Sequence, residues 1–231
     1  MYYPYYYDPT YLILIPAIIL TMYAQFKVSS TTNKYFRVRT QRGYTGEQTA
    51  REILNANGIY DVRIEMTRGT LSDHYDPRNK VLRLSQDVYR GTSITSVAVA
   101  AHECGHALQH KEGYRSLLIR NQLIPVFNFS QNIGWVVLMI GFLFSAMNIA
   151  LLGVIILSLM LVFQLLTLPI EFNASKRAIH FLQNNYVSNE ELVGSKKMLI
   201  AAALTYVASV AASVLSILRL FLIVLPRDRR D

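Results

Sequence analysis

The stretch from Ala100 to Ala107 reads AAHECGHA and contains the pattern H-E-x-x-H, with His102 and His106 four positions apart. On an α-helix, residues i and i+4 lie on one face, so both imidazoles can bind the same metal ion. Glu103 lies beside them, where its carboxylate can take a proton from a zinc-bound water. Zinc lowers the pKa of such a water to about 7. The pattern predicts a catalytic zinc site, which needs a third protein ligand.

The residues around this motif predict a helix over 93–111. Ser93 or Thr95 can cap its N-terminus, the alanines favour helix, and Gly113 can end it. Gly105 lies in the helix interior, where glycine costs about 1 kcal/mol relative to alanine. We therefore expect another helix or backbone segment to approach closely at Gly105.

Cys104 is the only cysteine, so the chain cannot form an internal disulfide. Two helical positions separate it from His102, which turns its side chain about 200° away from that imidazole. We therefore interpret Cys104 as a small packed residue and not as a metal ligand.

The composition predicts a membrane protein. The chain of 231 residues is 52% hydrophobic and only 16% charged, whereas soluble domains carry about 25% charged residues. Apolar blocks occupy residues 11–26, 133–170 and 199–225, and the last is interrupted by Arg219. As one helix, 133–170 would be about 57 Å long, so we expect a hairpin with its bend near Ser145–Asn148. The prediction is about four transmembrane helices. Either the last block is only partly inserted or Arg219 lines the site.

His110 cannot supply the third ligand, because a straight helix places it about 12 Å along the axis from His102. Zinc–nitrogen bonds are about 2 Å long, so one ion cannot reach both side chains. A longer signature with a third histidine is also excluded, since Gln109 and Glu112 stand where it requires glycine and histidine.

The remaining candidates are glutamates that follow the motif. Glu112 lies on or just past the same helix, and Glu190 and Glu191 lie in a polar segment typical of solvated charge. Glu171 stands at the end of the long apolar block, where a carboxylate needs a partner such as a metal ion. We therefore favour Glu171, and we expect Pro169 to begin the helix that carries it.

A small α+β unit is predicted between the first apolar block and the motif. Thr45 and Gln48 form a capping box for a helix that ends near Asn57. Strands are predicted over 62–66 and 80–85, with a turn at Asp76–Asn79. The strand 80–85 is either an ordinary internal strand or one that pairs with an extended substrate.

Charge predicts the orientation in the cell membrane. Fifteen of the 23 Lys and Arg residues lie between Lys27 and Arg120. This bias is typical of cytoplasmic segments, and no motif for nucleic-acid recognition accompanies it. We predict a multi-pass protein with its active site on the cytoplasmic face and these segments: an anchor (1–26), a cytoplasmic α+β segment with the H-E-x-x-H helix (27–130), a transmembrane hairpin (131–168), a segment with the ligand glutamate (169–198), and a C-terminal membrane helix with a basic tail (199–231).

AAHECGHA, the membrane hairpin, the segment EFNASKRA (171–178) and the earlier LSDHYDPRNKVLRLSQDVY (71–89) together resemble the YugP-like neutral zinc metallopeptidases of bacterial membranes. More distantly, the layout is similar to the HtpX and CAAX prenyl proteases. The resemblance implies a gluzincin-like core, Glu103 as general base, and one zinc ion per chain held by His102, His106 and Glu171. Ser175 stands where the wider pattern has an aspartate that orients a histidine ligand, so Ser175 or Asn173 is expected to substitute.

The leading hypothesis is a membrane zinc endopeptidase that hydrolyses membrane or membrane-proximal proteins. Its partners would be a protein or peptide substrate and the lipid bilayer, without nucleic acid; the oligomeric state is left open. The alternative is a non-catalytic membrane scaffold with a vestigial site, against which the intact Glu103 argues. A metal transporter would need ionisable groups inside its spans, and residues 133–170 contain none.

Overall fold

A computed structural model describes residues 8–183 and 186–225. Most of the tyrosine-rich N-terminal segment and the RDRRD tail therefore lie outside the described residues. The described chain is mainly helical and contains one small sheet. A 3-10 helix spans Pro9–Leu14, and the other elements are α1 (Ile15–Phe36), α2 (Gly46–Ala56), β1 (Arg63–Thr67), β2 (His74–Asp76), β3 (Val81–Ser85), α3 (Gln86–Tyr89), α4 (Ile94–Lys111), α5 (Arg115–Leu143), α6 (Met147–Gln183) and α7 (Asn189–Val224).

The chain forms two compact units. The apolar unit comprises the described parts of residues 1–23, 122–166 and 206–231, and the motif-bearing unit comprises residues 24–121 and 167–205. Among the described residues, four helical stretches are long and apolar enough to cross a membrane, in agreement with the predicted number: Pro9–Phe36, Arg115–Leu143, Met147–Gln183 and Asn189–Val224.

In the apolar unit, α5 and α6 form the predicted hairpin. Helix α5 ends at Leu143 and α6 begins at Met147, so the bend falls at the expected position. Small residues let the two helices approach closely, because a Cβ atom added at Gly141 would collide with the backbone of Ala150. Buried leucine, valine and alanine side chains fill the space between the helices.

Arg219 has a partner within the apolar unit. Its Nη2 atom donates to Oδ2 of Asp8 at 3.1 Å, and the guanidinium stacks over the ring of Tyr11 at 3.8 Å from the centroid. An arginine in an apolar helix is costly unless a counter-charge or an aromatic face accompanies it. The Asp8 carboxylate and the Tyr11 ring therefore offset the cost of placing Arg219 in the apolar helix α7.

The motif-bearing unit contains the sheet, whose strand order is β1-β3-β2. Strand β3 pairs in parallel with β1 and antiparallel with β2, so both of its edges are occupied. The suggestion that this strand pairs with substrate is therefore wrong. The short strand β2 was not predicted from the sequence because its three residues, HYD, show no apolar alternation.

The local signals for helix α2 and the turn are confirmed. Thr45 and Gln48 form both hydrogen bonds of the capping box that starts α2, and Gly58 follows its end with a positive φ of 64°. In the turn after Asp76, Oδ1 of the Asp76 side chain accepts hydrogen bonds from the backbone N–H groups of Arg78 and Asn79.

The expectation that Pro169 begins a helix is wrong. Helix α6 runs without interruption from Met147 to Gln183 with Pro169 inside it. Proline lacks the N–H that would bond to a carbonyl one turn earlier, and its ring crowds that carbonyl. Membrane-spanning helices tolerate proline because neighbouring groups can satisfy the freed backbone. The apolar block and Glu171 therefore belong to one continuous helix.

The Asp8–Arg219 pair can be tested with a double-mutant cycle. Asp8→Asn leaves the Arg219 guanidinium without its counter-charge and should lower the thermal unfolding midpoint of the detergent-solubilised protein. Arg219→Leu in the Asp8→Asn background should recover part of that loss. Strictly additive effects of the two substitutions would show that the pair does not contribute.

Candidate metal centre

Helix α4 presents the motif as the spacing requires. The side chain of Ser93 caps the helix by accepting the backbone N–H of Ser96, and α4 continues to Lys111. Its early turns are almost fully buried, which fixes the rotation of the helix about its axis. As a result, His102 and His106 lie one turn apart with ring centroids separated by 4.8 Å.

Helices α4 and α6 touch at Gly105. A Cβ atom at this position would lie 2.7 Å from the carbonyl oxygen of Ala174 and 3.1 Å from its Cα atom. Only glycine therefore permits this approach, which confirms the expectation drawn from its position in a helix interior. The contact brings the segment of α6 around Glu171 against the face of α4 that carries the two histidines.

Three side chains converge between these helices. Oε2 of Glu171 lies 3.3 Å from Nε2 of His102 and 3.6 Å from Nε2 of His106. All three candidate ligand atoms lie within 4.8 Å of one another, so His102, His106 and Glu171 form a group that can hold a metal ion. Tetrahedral ligands at zinc bond lengths of about 2.0–2.1 Å are separated by roughly 3.4 Å, which is close to the two distances between Glu171 and the histidines.

The burial of Glu171 also fits a cation. The residue is 6% exposed, and its Oε2 atom is buried with no hydrogen-bond donor among the described residues. A buried carboxylate without a donor is costly, and a divalent cation at this point would compensate the charge. Two imidazoles and one carboxylate are a donor set that zinc accepts.

Glu103 is nearly buried beside this group, at 7% exposure. Burial raises the pKa of its carboxyl group above the ordinary value. The nearby imidazoles of His106 and His102 oppose that effect, whereas the carboxylates of Glu171 and Asp73 add to it. A carboxylate with a raised pKa is a stronger base than a solvated glutamate, which suits proton transfer.

Both histidines are held at their second ring nitrogen. Nδ1 of His102 lies 3.2 Å from the hydroxyl of Ser175, the residue that replaces the aspartate of the wider pattern. Nδ1 of His106 lies 3.0 Å from Oε1 of Gln109. Hydrogen bonds at the second nitrogen orient metal-binding imidazoles, so Ser175 occupies the place from which an aspartate would act.

The other candidate residues have different partners. His110 contacts the hydroxyl of Tyr75 through Nδ1 at 2.9 Å, and Glu112 accepts a hydrogen bond from Arg177. Glu191 is buried, not solvated as its polar segment indicated: it accepts the backbone N–H groups of Gln41 and Ser188. None of these carboxylates belongs to the three-residue group.

Cys104 faces away from the group, as helix geometry predicts. Its side chain is 1% exposed, and its sulfur atom lies 3.6 Å from the carbonyl oxygen of Ala50 on α2. Burial raises the pKa of the thiol well above its ordinary value, so the thiolate that would bind a metal is disfavoured.

Two residues near the group were missed in the sequence. Oδ1 of Asp73 accepts hydrogen bonds from the backbone N–H of Ser85 at 2.7 Å and from its hydroxyl at 3.1 Å. Ser85 is the last residue of β3, so these bonds lie at the end of that strand. Asp73 lies in the segment 71–89 that resembles the family, but this segment has no periodicity that would single it out. Gln109 is fully buried, and its signal was visible: a polar side chain three positions after His106 in a helix with a buried alanine-rich face.

Comparison with known proteins identifies the family. Residues 10–225 match the family model described as "Putative neutral zinc metallopeptidase". The chain belongs to this family. It is also 47% identical over 212 residues to the "Putative membrane protease YugP" of Bacillus subtilis (strain 168), covering 91% of this chain and 94% of that protein. No solved structure matches the chain.

Membership confirms the resemblance seen in the sequence, and the family description names zinc and peptidase chemistry. The relative is named as a membrane protease, in agreement with the four apolar helices of this chain. The donor set described above has the chemistry that such a family requires.

The close approach at Gly105 can be tested directly. Gly105→Ala adds a methyl group against the backbone of Ala174 and should destabilise the fold by about 1–3 kcal/mol through overpacking. Because the same contact holds together the two helices that carry the candidate ligands, zinc binding should weaken as well. Measurements are thermal unfolding of the apo protein and zinc affinity from competition with a chromophoric chelator.

Cys104→Ala is the matched control, since it changes the neighbouring residue on the face turned toward α2. Its zinc affinity should equal that of the wild type. Wild-type zinc affinity in Gly105→Ala, or a loss of zinc in Cys104→Ala, would contradict this description of the helix.

Proposed function

We propose that the protein is a membrane-bound zinc endopeptidase in which His102, His106 and Glu171 bind the metal and Glu103 is the general base. The observation that carries the proposal is the convergence of the three ligand atoms with an adjacent buried carboxylate. Family membership supports the same chemistry.

The roles follow from chemistry at each atom. Zinc, when bound, supplies a Lewis acid that activates water and polarises the peptide carbonyl. Nε2 of His102, Nε2 of His106 and the Glu171 carboxylate would hold it as three protein ligands, leaving an open coordination position. Glu103 takes a proton from the attacking water and delivers it to the amine nitrogen of the leaving peptide.

The site's neighbours support catalysis rather than a vestigial role. Burying the Glu103 carboxylate near the carboxylates of Glu171 and Asp73 costs free energy. A scaffold protein without catalytic activity would have no use for this carboxylate, so its presence favours a catalytic role. Proton transfer uses that environment, because the base strength of a carboxylate rises with its pKa.

Substrates are proposed to be membrane or membrane-proximal proteins. Glu171 directly follows the charge-free block 133–170 and shares the continuous helix α6 with its second half. The metal site would therefore stay tethered at the end of a membrane span. The excess of Lys and Arg between Lys27 and Arg120 favours the cytoplasmic face for this site.

An even number of spans is consistent with that orientation, because it returns the chain to the side on which it starts. Asp8 precedes the first apolar helix and Arg219 lies near the end of the last, and the two side chains are in contact. In this topology Asp8 and Arg219 are expected on the non-cytoplasmic side of the membrane.

The proposal is tested by separating zinc binding from proteolysis. Glu103→Gln removes the base but no ligand, so it should keep about one zinc per chain and lose activity by about 10²–10⁴-fold. Glu171→Ala should lose both zinc and activity. Metal analysis of the purified protein and hydrolysis of fluorogenic casein, with and without chelator, provide the measurements.

Glu112→Gln is the matched control, because it removes the charge of a glutamate that lies at the C-terminal end of α4, outside the proposed ligand set. This glutamate accepts a hydrogen bond from Arg177. The variant should keep zinc and activity. Full proteolysis by Glu103→Gln would rule out the proposed base, and wild-type zinc content in Glu171→Ala would rule out the third ligand.

A further inference from the structure

Gln109 links His106 to helix α6 through three hydrogen bonds. Its side chain is completely buried, with Oε1 3.0 Å from Nδ1 of His106. Its Nε2 atom lies 2.8 Å from the carbonyl oxygen of Ile170 and 2.9 Å from Oδ1 of Asn173. Both hydrogens of the amide and its oxygen are therefore used, as a fully buried amide requires.

The orientation of this amide is dictated by groups that have only one hydrogen-bonding role. Nε of Arg177 can only donate, and it lies 2.7 Å from the Asn173 atom assigned as Oδ1, so that atom must be the oxygen. The carbonyl of Ile170 can only accept. Reversing the Gln109 amide would place its oxygen against two acceptors, so Nε2 must face α6.

The same reasoning continues to His106. With Nε2 of Gln109 directed at α6, its Oε1 faces Nδ1 of His106, and that nitrogen must carry the hydrogen. In the neutral imidazole the lone pair then lies on Nε2. Nε2 is the atom that lies 3.6 Å from Oε2 of Glu171, on the side of the proposed metal.

We propose that Gln109 is a positioning residue, which selects the tautomer of His106 that binds a metal through Nε2 and fixes the ring against helix α6. This inference rests on the proposed zinc site. It extends the site along a chain from His106 through Gln109 and Asn173 to Arg177, which also pairs with the exposed Glu112.

His102 is held differently. Its Nδ1 atom lies 3.2 Å from the hydroxyl of Ser175, which can either donate or accept, so this contact does not select a tautomer. The hydrogen bonds of the protein therefore fix the tautomer of His106 but not that of His102. Because outer hydrogen-bond partners change metal affinity by about 10–100-fold, the Gln109 contact should have a measurable effect on zinc binding.

The competing explanation is that Gln109 only ties α4 to α6. Three substitutions separate the two roles. Gln109→Met removes every hydrogen bond of the side chain at similar volume. Gln109→Glu keeps an oxygen acceptor for His106 in either protonation state but disturbs the ties to α6. Asn173→Ala removes one tie to α6 and leaves the His106 contact in place.

The experiment uses the full-length protein in detergent. Zinc affinity is measured by competition with a chromophoric chelator, the visible spectrum is recorded with Co²⁺ in place of zinc, and thermal unfolding of the apo protein reports the structural contribution. Gln109→Met should weaken zinc binding by about 10–100-fold and alter the Co²⁺ spectrum. Gln109→Glu and Asn173→Ala should lower stability yet bind zinc within about tenfold of wild type.

The outcomes distinguish failure of the proposed zinc site from failure of the positioning role of Gln109. If the wild type binds no zinc, the proposed function fails and this inference fails with it. If the wild type binds zinc and Gln109→Met binds it equally well, or if Asn173→Ala weakens it as much as Gln109→Met, only the positioning role is overturned. Should Gln109→Met fail to fold, a loss of zinc affinity beyond tenfold in Gln109→Glu overturns it.

Discussion

Helices α4 and α6 meet where Gly105 faces the backbone of Ala174, and the candidate metal-binding group depends on that contact. An alanine at this position would force the helices apart, because its Cβ atom would lie 2.7 Å from a carbonyl oxygen. The histidines come from one helix and Glu171 from the other, so their separation follows from the interhelical distance. Because Gly105 has no side chain, two candidate ligands on α4 can meet a third on α6 that lies 65 positions after His106.

The buried charges between the two helices favour the binding of a cation. The space between the helices holds two buried carboxylates, Glu103 and Glu171, close to two imidazoles. Such a group is unfavourable in a folded protein unless its charges are compensated, and a bound cation compensates them. The surrounding hydrogen bonds are oriented consistently with this role: Gln109 and Ser175 lie at the Nδ1 atoms, and Nε2 of each ring is directed toward Glu171.

Local patterns in the sequence predicted much of this architecture. The spacing of His102 and His106 placed both on one helix face, the position of Gly105 indicated close packing, and the charge-free block indicated the hairpin. These features depend on helix geometry and on the apolar solvent of a membrane, both of which are visible in a single segment.

The features that the sequence did not reveal depend on tertiary contacts. The order of the strands excluded β3 as a substrate-binding edge, because pairing is set by segments distant in the chain. Proline is favoured at the first position of a helix, which predicts a helix start at Pro169, whereas α6 continues through it. The partners of Gln109 lie on α6, about 60 residues away, so its buried position in α4 was visible but its role was not.

The proposed metal site contains two imidazoles and one carboxylate, but no thiolate. X-ray absorption at the zinc K-edge of the purified wild-type protein tests it most directly. We expect nitrogen and oxygen neighbours of zinc at about 2.0–2.1 Å together with the outer-shell scattering of two imidazole rings. A sulfur neighbour at about 2.3 Å, or scattering from only one imidazole, would contradict it.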